Sequence, residues 1–202
     1  MPTLFLVRHG ETDWNRSGQI MGERPVPLNR HGVAQAQWLA ESLTGRSIEA
    51  LYSSPVARAR QTADILSPAL HLPVTVEGGL TEVGVGQWEG RYWKDLTEDS
   101  VRHNFYARPQ EARPPGGETL HEVQRRAVAA VERAGAGVRA GSLLVVSHAD
   151  VLRAILAHYL RIDLQTARQM RIDHASLTAL EVNGPAADLL FLNLTPDARD
   201  PA

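Results

Sequence analysis

Short apolar runs, bounded by turn-forming or charged residues, recur along the chain and predict its β-strands. These runs lie at residues 3–7, 48–52, 74–76, 143–146, 177–182 and 189–194. The run at 143–146 reads Leu-Leu-Val-Val without a polar interruption, which predicts a strand that is buried on both faces. The last two runs are separated by Asn183-Gly184-Pro185, a sequence typical of a turn.

Between these runs, apolar residues recur three and four positions apart, which is the spacing of one face of an α-helix. The pattern predicts helices over residues 30–44, from Ser54 to about Pro68, over 118–139 and from Val151 to Tyr159. Asn29 is the predicted N-cap of the first of these helices. Strands that alternate with helices predict an α/β fold, a three-layer αβα sandwich with a mostly parallel central sheet.

Residues 83–117 interrupt this alternation and predict a small insertion. The segment is rich in glycine and charged residues, and it ends in Pro114-Pro115-Gly116-Gly117. It also carries five aromatic side chains, those of Trp88, Tyr92, Trp93, Phe105 and Tyr106. We expect this segment, called the cap below, to cover the carboxyl edge of the sheet within a single domain spanning residues 1–202.

Composition and charge exclude several classes of function. The formal net charge is −2 and the basic residues are scattered, unlike the basic patches of nucleic-acid-binding proteins. The chain has no cysteine, which excludes a disulfide framework, a thiolate metal site and a thiol nucleophile. We find no apolar stretch of membrane-spanning length and no secretory leader, and we therefore expect a cytoplasmic protein without membrane association.

The first predicted strand ends in Arg8-His9-Gly10, the most chemically suggestive stretch of the chain. Open α/β sheets bind ligands at the carboxyl ends of their strands. Arginine is permanently charged and matches phosphate oxygens, and histidine can attack phosphorus as a nucleophile. The pair therefore suggests phosphoryl transfer through a histidine. The same triplet recurs as Arg30-His31-Gly32, but this copy opens a predicted surface helix and is not expected to act in the same way.

Three other titratable side chains follow predicted strands. They are those of Arg58, Glu82 and His148. Each one alone is compatible with a solvated or structural role, as such residues usually are. Because parallel strands deliver their carboxyl ends to one crevice, we predict that all three lie close to Arg8 and His9.

Five sequence blocks occur in an order that matches a known family. They are Arg8-His9-Gly10 with Thr12 and Trp14-Asn15, Ser54 through Thr62, Leu80 through Gly90, Pro115 through Thr119, and Val145 through His148. Together they resemble the signature segments of the histidine phosphatase superfamily, which includes the cofactor-dependent phosphoglycerate mutases and many small bacterial phosphatases. The resemblance implies a phosphoglycerate mutase-like fold.

The resemblance also implies a role for each candidate residue. His9 is the implied nucleophile and forms a phosphohistidine, while a backbone carbonyl near Gly10 holds its other ring nitrogen. The phosphoryl oxygens are implied to be bound by Arg8, Asn15, Arg58, His148 and Ala149.

Glu82 is implied to protonate the leaving oxygen and then to activate water. A glutamate ordinarily titrates near pH ~4.3, so this role requires burial or a nearby phosphate. Neither a metal nor a cofactor is implied, because the cationic cluster itself neutralises the phosphoryl charge.

Three positions depart from the family pattern. Ala149 stands where relatives usually carry glycine, and Met21 and Pro25 stand where many carry glutamine and aspartate. Ala149 adds only a methyl group and keeps its backbone N–H available for a phosphoryl oxygen. Met21 and Pro25 lie in a loop that flanks the implied phosphate-binding cluster without touching it, and they make the substrates of relatives less transferable to this chain.

Three functions are compatible with the resemblance. We favour a metal-independent phosphomonoester hydrolase acting on a small phosphorylated metabolite. The stretch between Glu82 and Pro115 is shorter than the corresponding insertion of the family's mutases, and a shorter cap gives water easier access to the site. The alternative is a phosphoglycerate mutase dependent on 2,3-bisphosphoglycerate. A non-catalytic phosphate-ester binding module is less favoured, since neither His9 nor Glu82 is missing. The family alone suggests a homodimer.

The sequence is compatible with two interpretations of the aromatic and of the basic residues of the cap. Its aromatic side chains could line a pocket for an apolar leaving group, but we favour the interpretation that they form the core of the cap. Its basic residues could bind a second anionic group or face solvent. These basic residues are Arg91, Lys94, Arg102, Arg108 and Arg113.

Overall fold

A computed structural model of the chain describes residues 3–96, 100–105 and 107–195. Within these ranges, six strands form one sheet: β1 Thr3–Arg8, β2 Ile48–Ser53, β3 Val74–Val76, β4 Ser142–Ser147, β5 Leu177–Asn183 and β6 Ala186–Leu194. All six were predicted, because each contains a short, mostly apolar run bounded by turn-forming or charged residues.

The strands are ordered β3-β2-β4-β1-β5-β6 across the sheet. The first four in this order pair in parallel, β5 runs antiparallel to β1, and β6 runs antiparallel to β5. The predicted turn joins β5 to β6 and contains Gly184 at a φ of +68°, a conformation that glycine adopts without strain. The sheet is therefore mostly parallel, as predicted.

Helices cover both faces of the sheet. Within the described ranges they are α1 Asp13–Ser17, α2 Arg30–Leu43, α3 Ala57–Leu70, α4 Ser100–Phe105, α5 Leu120–Gly135, α6 Ala149–Tyr159 and α7 Leu164–Ala167. Leu4 and Leu6 of β1 pack in one buried cluster with α5 and α6, whereas Phe5 and Val7 pack in another with α2 and α3. This alternation along β1 confirms the three-layer sandwich.

The predicted helix boundaries were wrong at several points. The α3 helix begins at Ala57 and not at Ser54, whose backbone N–H donates to the Val146 carbonyl and thereby continues the sheet. It also runs through Pro68 to Leu70, because a proline in the last turn removes only one helical hydrogen bond.

Other helices also differ from expectation. The α5 helix is shorter than predicted: a capping box of Thr119 and Glu122 sets its start at Leu120, and it ends at Gly135. The α1, α4 and α7 helices were not predicted at all, since four to six residues are too few to show a period. No helix in the described part of the chain is long and apolar enough to cross a membrane.

The cap contains single 3₁₀ turns and the short helix α4. The 3₁₀ turns in and before it are Gly78–Leu80, Gly86–Trp88 and Trp93–Leu96. Its side chains of Val83, Val85, Trp88, Leu96 and Phe105 belong to the same buried cluster as Leu4 and Leu6. Tyr106 lies outside the described residues. The assignment of residues 1–202 to a single domain stays a prediction.

Candidate active site

The carboxyl ends of β1, β2 and β4 meet at one edge of the sheet. Arg8 of β1 is in register with Ser147 of β4, and the backbone N–H of His9 donates to the Ser147 carbonyl at 3.0 Å. His9 and His148 therefore leave neighbouring strands side by side, with ring centroids 5.2 Å apart. The predicted convergence of strand ends is observed.

The imidazole of His9 is buried and held at both nitrogens. Its Nδ1 donates to the Gly10 carbonyl at 2.7 Å, and its Nε2 accepts from the Nε of Arg58 at 3.2 Å. Burial, followed by the positive charge of Arg58, lowers the pKa of His9 well below its usual value. The ring is neutral, and its Nε2 presents a lone pair. The backbone carbonyl expected near Gly10 is the Gly10 carbonyl itself.

Gly10 fixes the loop that follows the nucleophile candidate. Its N–H donates to the Oγ1 of Thr62 at 3.1 Å, and that hydroxyl donates to the Arg58 carbonyl at 2.8 Å. A side chain at position 10 would overlap the carbonyl of Gly32 at the start of α2. The small residue therefore permits the close approach of α2 to the end of β1.

Arg58 is fully buried in the first turns of α3 and contacts three other segments. Besides His9, it donates to the Gly22 carbonyl at 2.9 Å and the Arg24 carbonyl at 3.3 Å, and it lies 3.5 Å from the Glu82 carboxylate. Burial lowers the pKa of its guanidinium, and the charge of Glu82 opposes that shift. A buried cation within hydrogen-bond distance of His9 can bind an anion held there.

Arg8 is anchored on the other side of His9. Its guanidinium donates to the Ile172 carbonyl at 2.7 Å and to Nε2 of His174 at 2.8 Å, and its buried Nε has no partner within the described residues. Burial lowers the pKa of Arg8 to about 10, so the group stays charged at neutral pH. Burial and the charge of Arg8 lower the pKa of His174 to about 3, so that ring is a neutral acceptor.

His148 and Glu82 complete the cluster. His148 is fully buried, its Nε2 is hydrogen-bonded to the Oγ of Ser54 at 2.8 Å, and its Nδ1 lies 3.5 Å from the Glu82 carboxylate. Burial, followed by the charge of Arg58, lowers the pKa of His148 well below its usual value. Burial raises the pKa of Glu82, which the charge of Arg58 opposes and that of Asp150 reinforces. A glutamate shifted in this direction can hold a proton closer to neutrality.

Asn15 and Ala149 also line the site. The Oδ1 of Asn15 accepts from the N–H and hydroxyl of Thr12 in a capping box of α1, so its amide nitrogen is the group left to donate toward a ligand. Ala149 is the first residue of α6, whose N-terminal N–H groups favour an anion. Met21, one of the three departures from the family pattern, is buried beside Thr12 and lines the same space.

A cavity of about 280 Å³ lies beside this cluster. Its lining residues are Arg8, His9, Trp14, Asn15, Gly18, Gln19, Ile20, Met21, Gly22, Glu82, Val83, Val85, Trp93, Phe105, Ala149 and Asp150. Aromatic side chains of the cap therefore serve both as core and as pocket lining. Trp88 is buried in the core, whereas Phe105 is buried and also lines the cavity with Trp93.

Several residues of the site were missed by sequence reasoning. His174 lies in a loop before β5, Thr62 lies inside α3, and Ser54 was interpreted as a helix cap. Their partners in the site are 52 to 166 positions away in sequence, so no local pattern identifies them.

A further missed residue is Arg126 on α5, which holds the segment that carries Glu82. Its guanidinium donates to the carbonyls of Gly79, Thr81 and Glu82 at 2.7 to 3.0 Å. It also forms two 2.9 Å hydrogen bonds with the carboxylate of Glu118, which accepts from the N–H of Gly84. One ion pair thus fixes the backbone on both sides of Glu82.

The site also offers three metal-ligating groups. One donor atom from each of His9, Glu82 and His148 lies within 4.8 Å of the others, and both histidines are neutral. The guanidinium of Arg58 contacts two of the three, which opposes a divalent cation at this point and favours an anion.

Comparison with known proteins agrees with this geometry. The family model for the histidine phosphatase superfamily, branch 1, matches residues 4–195. An adenosylcobalamin/α-ribazole phosphatase of Escherichia coli strain K12 is 32% identical over 192 residues, which cover 94% of this chain and 95% of that protein.

Two further relatives bear different names. A probable phosphoglycerate mutase of Salmonella choleraesuis is 31% identical over 183 residues, covering 90% of this chain and 85% of that protein. A solved mycobacterial glucosyl-3-phosphoglycerate phosphatase matches with a TM-score of 0.89 at 26% identity, covering 96% of this chain and 100% of that one. The chain belongs to branch 1 of the histidine phosphatase superfamily, and the phosphoglycerate mutase-like fold expected from its sequence is confirmed.

Proposed function

We propose that this phosphomonoesterase hydrolyses a small phosphorylated metabolite, without a metal, through a phosphohistidine at His9. The family and its phosphatase-named relatives make the chain an enzyme that acts on phosphomonoesters. The observation that most supports the mechanism is the neutral His9 ring. Its Nδ1–H is bound by the Gly10 carbonyl, its Nε2 accepts from the buried Arg58, and the ring of His148 lies 5.2 Å from its own.

In the first step, the His9 Nε2 lone pair attacks phosphorus. The P–N bond forms as the bond to the leaving oxygen breaks, and the Glu82 carboxyl gives its proton to that oxygen. Arg8, Arg58 and His148 bind the equatorial phosphoryl oxygens, where charge is spread in the transition state.

In the second step, water replaces the leaving alcohol. The Glu82 carboxylate takes a proton from the water, whose oxygen attacks phosphorus, and the P–N bond breaks. Inorganic phosphate and a neutral His9 result, and Glu82 is again protonated, so the cycle closes without a metal or a cofactor.

A mutase is the second candidate, because the Salmonella relative carries that name. A mutase and a phosphatase share the phosphohistidine and differ in the acceptor of the phosphoryl group. The acceptor is a bound phosphoglycerate in a mutase and water in a phosphatase. We favour water because the cap is short and the described part of the cavity lining offers one cation, Arg8, which the phosphoryl group already engages.

Phosphate release from a panel of phosphomonoesters in EDTA tests this proposal. The panel includes p-nitrophenyl phosphate and 3-phosphoglycerate, and 2-phosphoglycerate formation is followed in parallel. We expect metal-independent release that disappears in His9→Ala and persists in His31→Ala. Isomerisation of phosphoglycerate without release would make the protein a mutase. A His9 phosphate that forms but does not turn over would favour a binding role.

A further inference from the structure

Beyond the phosphate-binding cluster, most side chains on the described lining of the cavity beside His9 are apolar. Its apolar lining side chains are those of Trp14, Ile20, Met21, Val83, Val85, Trp93 and Phe105. Three of the seven are aromatic, and four come from the cap. Ile20, Val83, Val85 and Phe105 are less than 5% exposed. An apolar group of a substrate gains free energy when it leaves water and contacts side chains of this kind.

The charges on the lining are unfavourable for an anionic leaving group. Arg8 is the single cation on the described lining, and it already donates to the Ile172 carbonyl and to His174. On the same described lining, Glu82 and Asp150 are the two acids, and Asp150 forms an ion pair at 3.0 Å with Arg153, which does not itself line the cavity. A carboxylate on the leaving group would lose its water and meet carboxylates, with no second cation among the described lining residues.

The basic residues of the cap do not change this balance. Of the five that were candidates for a second anion, none lines the described cavity beside His9. Arg102 lines a neighbouring cavity of about 220 Å³ together with Arg168. The two cavities share Trp93 and Phe105 but no residue of the phosphate-binding cluster.

From these observations we infer that the preferred substrates are phosphomonoesters of uncharged, apolar alcohols with an aromatic group, and not esters whose leaving group bears a carboxylate. The inference rests on the proposed function and deepens it. The phosphoryl group occupies the cationic cluster, and the aromatic part of the alcohol contacts the cap side chains.

Three esters of alkyl alcohols separate this preference from intrinsic reactivity. 2-Phenylethyl phosphate, glycerol 3-phosphate and 3-phosphoglycerate are all esters of primary alcohols, so their leaving oxygens have similar reactivity. We expect kcat/KM to fall in that order, with a difference of about tenfold or more between the first and the last. Equal or faster turnover of 3-phosphoglycerate would overturn the inference but would leave the proposed phosphatase intact.

Two variants locate the preference in the cavity. Trp93→Ala should lower kcat/KM about tenfold for 2-phenylethyl phosphate and much less for glycerol 3-phosphate. Asp150→Asn should raise the turnover of 3-phosphoglycerate relative to glycerol 3-phosphate, because it removes a repelling charge. Trp38→Ala on α2 is the matched control, since Trp38 does not line the cavity, and should leave both ratios unchanged. Unchanged ratios in Trp93→Ala and Asp150→Asn would contradict the assignment.

A binding measurement keeps the inference testable if no ester is hydrolysed. The methylene analogues 3-phenylpropylphosphonate and 2-hydroxy-4-phosphonobutanoate replace the leaving oxygen with carbon and cannot turn over. Tighter binding of the first by about tenfold would retain the inferred pocket even if the proposed catalysis failed. Equal binding, or tighter binding of the second, would overturn the inference.

Discussion

Two Arg-His-Gly triplets, at residues 8–10 and 30–32, have one sequence and two environments. The first leaves the end of β1, where its histidine is buried between Arg58 and the Gly10 carbonyl. The second opens α2, where His31 is exposed and lies near Gln35, one turn further along the same helix. Parallel strand ends that converge, and the burial this produces, distinguish the triplet for which we propose a catalytic role from the exposed one.

The two triplets also touch, and their glycines explain how. The N–H of Gly32 donates to the side chain of Asn29, the N-cap of α2, as predicted for that residue. A side chain at position 32 would overlap the carbonyl of Glu11, just as one at position 10 would overlap that of Gly32. The second triplet therefore supports the loop of the first through backbone packing, whereas its arginine and histidine are exposed.

The largest expected difference between the triplets is in covalent chemistry. Incubation with a ³²P-labelled ester should label the wild type and His31→Ala with phosphate that is stable in base and labile in acid. His9→Ala should remain unlabelled, and its steady-state hydrolysis should fall by about 10⁴-fold or more, because the nucleophile is gone. Label on a different residue in the wild type would contradict the proposed role of His9.

A smaller difference is expected for the two arginines. Arg8→Lys keeps the positive charge but loses the planar fork that binds Ile172 and His174, and we expect kcat/KM to fall about 100-fold. Arg30→Lys is the matched change in the exposed triplet and should leave kcat/KM within about twofold of the wild type. If the two lysine variants lose activity equally, burial does not separate the triplets.

The comparison can be sharpened with a second arginine pair on α5. Arg126 holds the backbone on both sides of Glu82, whereas its neighbour Arg125 is exposed. Arg126→Gln should lower kcat/KM by roughly tenfold or more, because Glu82 is no longer held against Arg58. Greater access of water to Glu82 should also lower its pKa, which moves the alkaline limb of the kcat/KM profile to lower pH.

Arg125→Gln is the control for this pair and should reproduce both the rate and the pH profile of the wild type. Glu118→Gln should resemble Arg126→Gln, since Glu118 forms the ion pair that anchors the guanidinium. A loss of stability in Arg126→Gln with an unmoved pH profile would show that Arg126 supports the fold and does not position Glu82.

The sequence predicted the sheet and the place of the main site residues because both depend on local patterns. Apolar runs predicted the strands, and Arg8, His9 and His148 are adjacent to strands whose ends meet at one edge. Glu82 and Arg58 were identified by the same reasoning. Their catalytic roles stay predictions until they are measured, as do the compartment and a homodimer.

What could not be predicted depends on long-range contacts of single side chains. His174 is 166 residues from Arg8, and Arg126 is 44 residues from Glu82. Neither pair has a spacing that an apolar period or a turn sequence would reveal. The sequence predicted a helix cap at Ser54 because serine before proline is typical of one. Its contact with His148, which follows β4, joins residues 94 positions apart and has no local signal.

The smallest expected effect, but one independent of turnover, is on the pH dependence of stability. Burial lowers the pKa of His9 in the folded chain, so below about pH 6.5 the unfolded chain binds a proton that the folded chain does not. The free energy of unfolding should therefore fall as the pH falls, and the contribution of His9 to this slope should correspond to about one proton. His148 and His174, whose pKa values are also lowered, contribute in the same direction.

Denaturation in urea between about pH 8 and pH 5 measures this slope. His9→Gln should flatten it by about one proton relative to the wild type, whatever the change in overall stability, because a glutamine does not titrate. The matched change His31→Gln, at an exposed histidine, is measured alongside as the control for replacing a histidine by glutamine. The ionisation of carboxylates is common to all three proteins and cancels in the comparison. Equal slopes for His9→Gln and the wild type would mean that His9 takes up its proton in the folded chain, and the neutral nucleophile on which the mechanism depends would be lost.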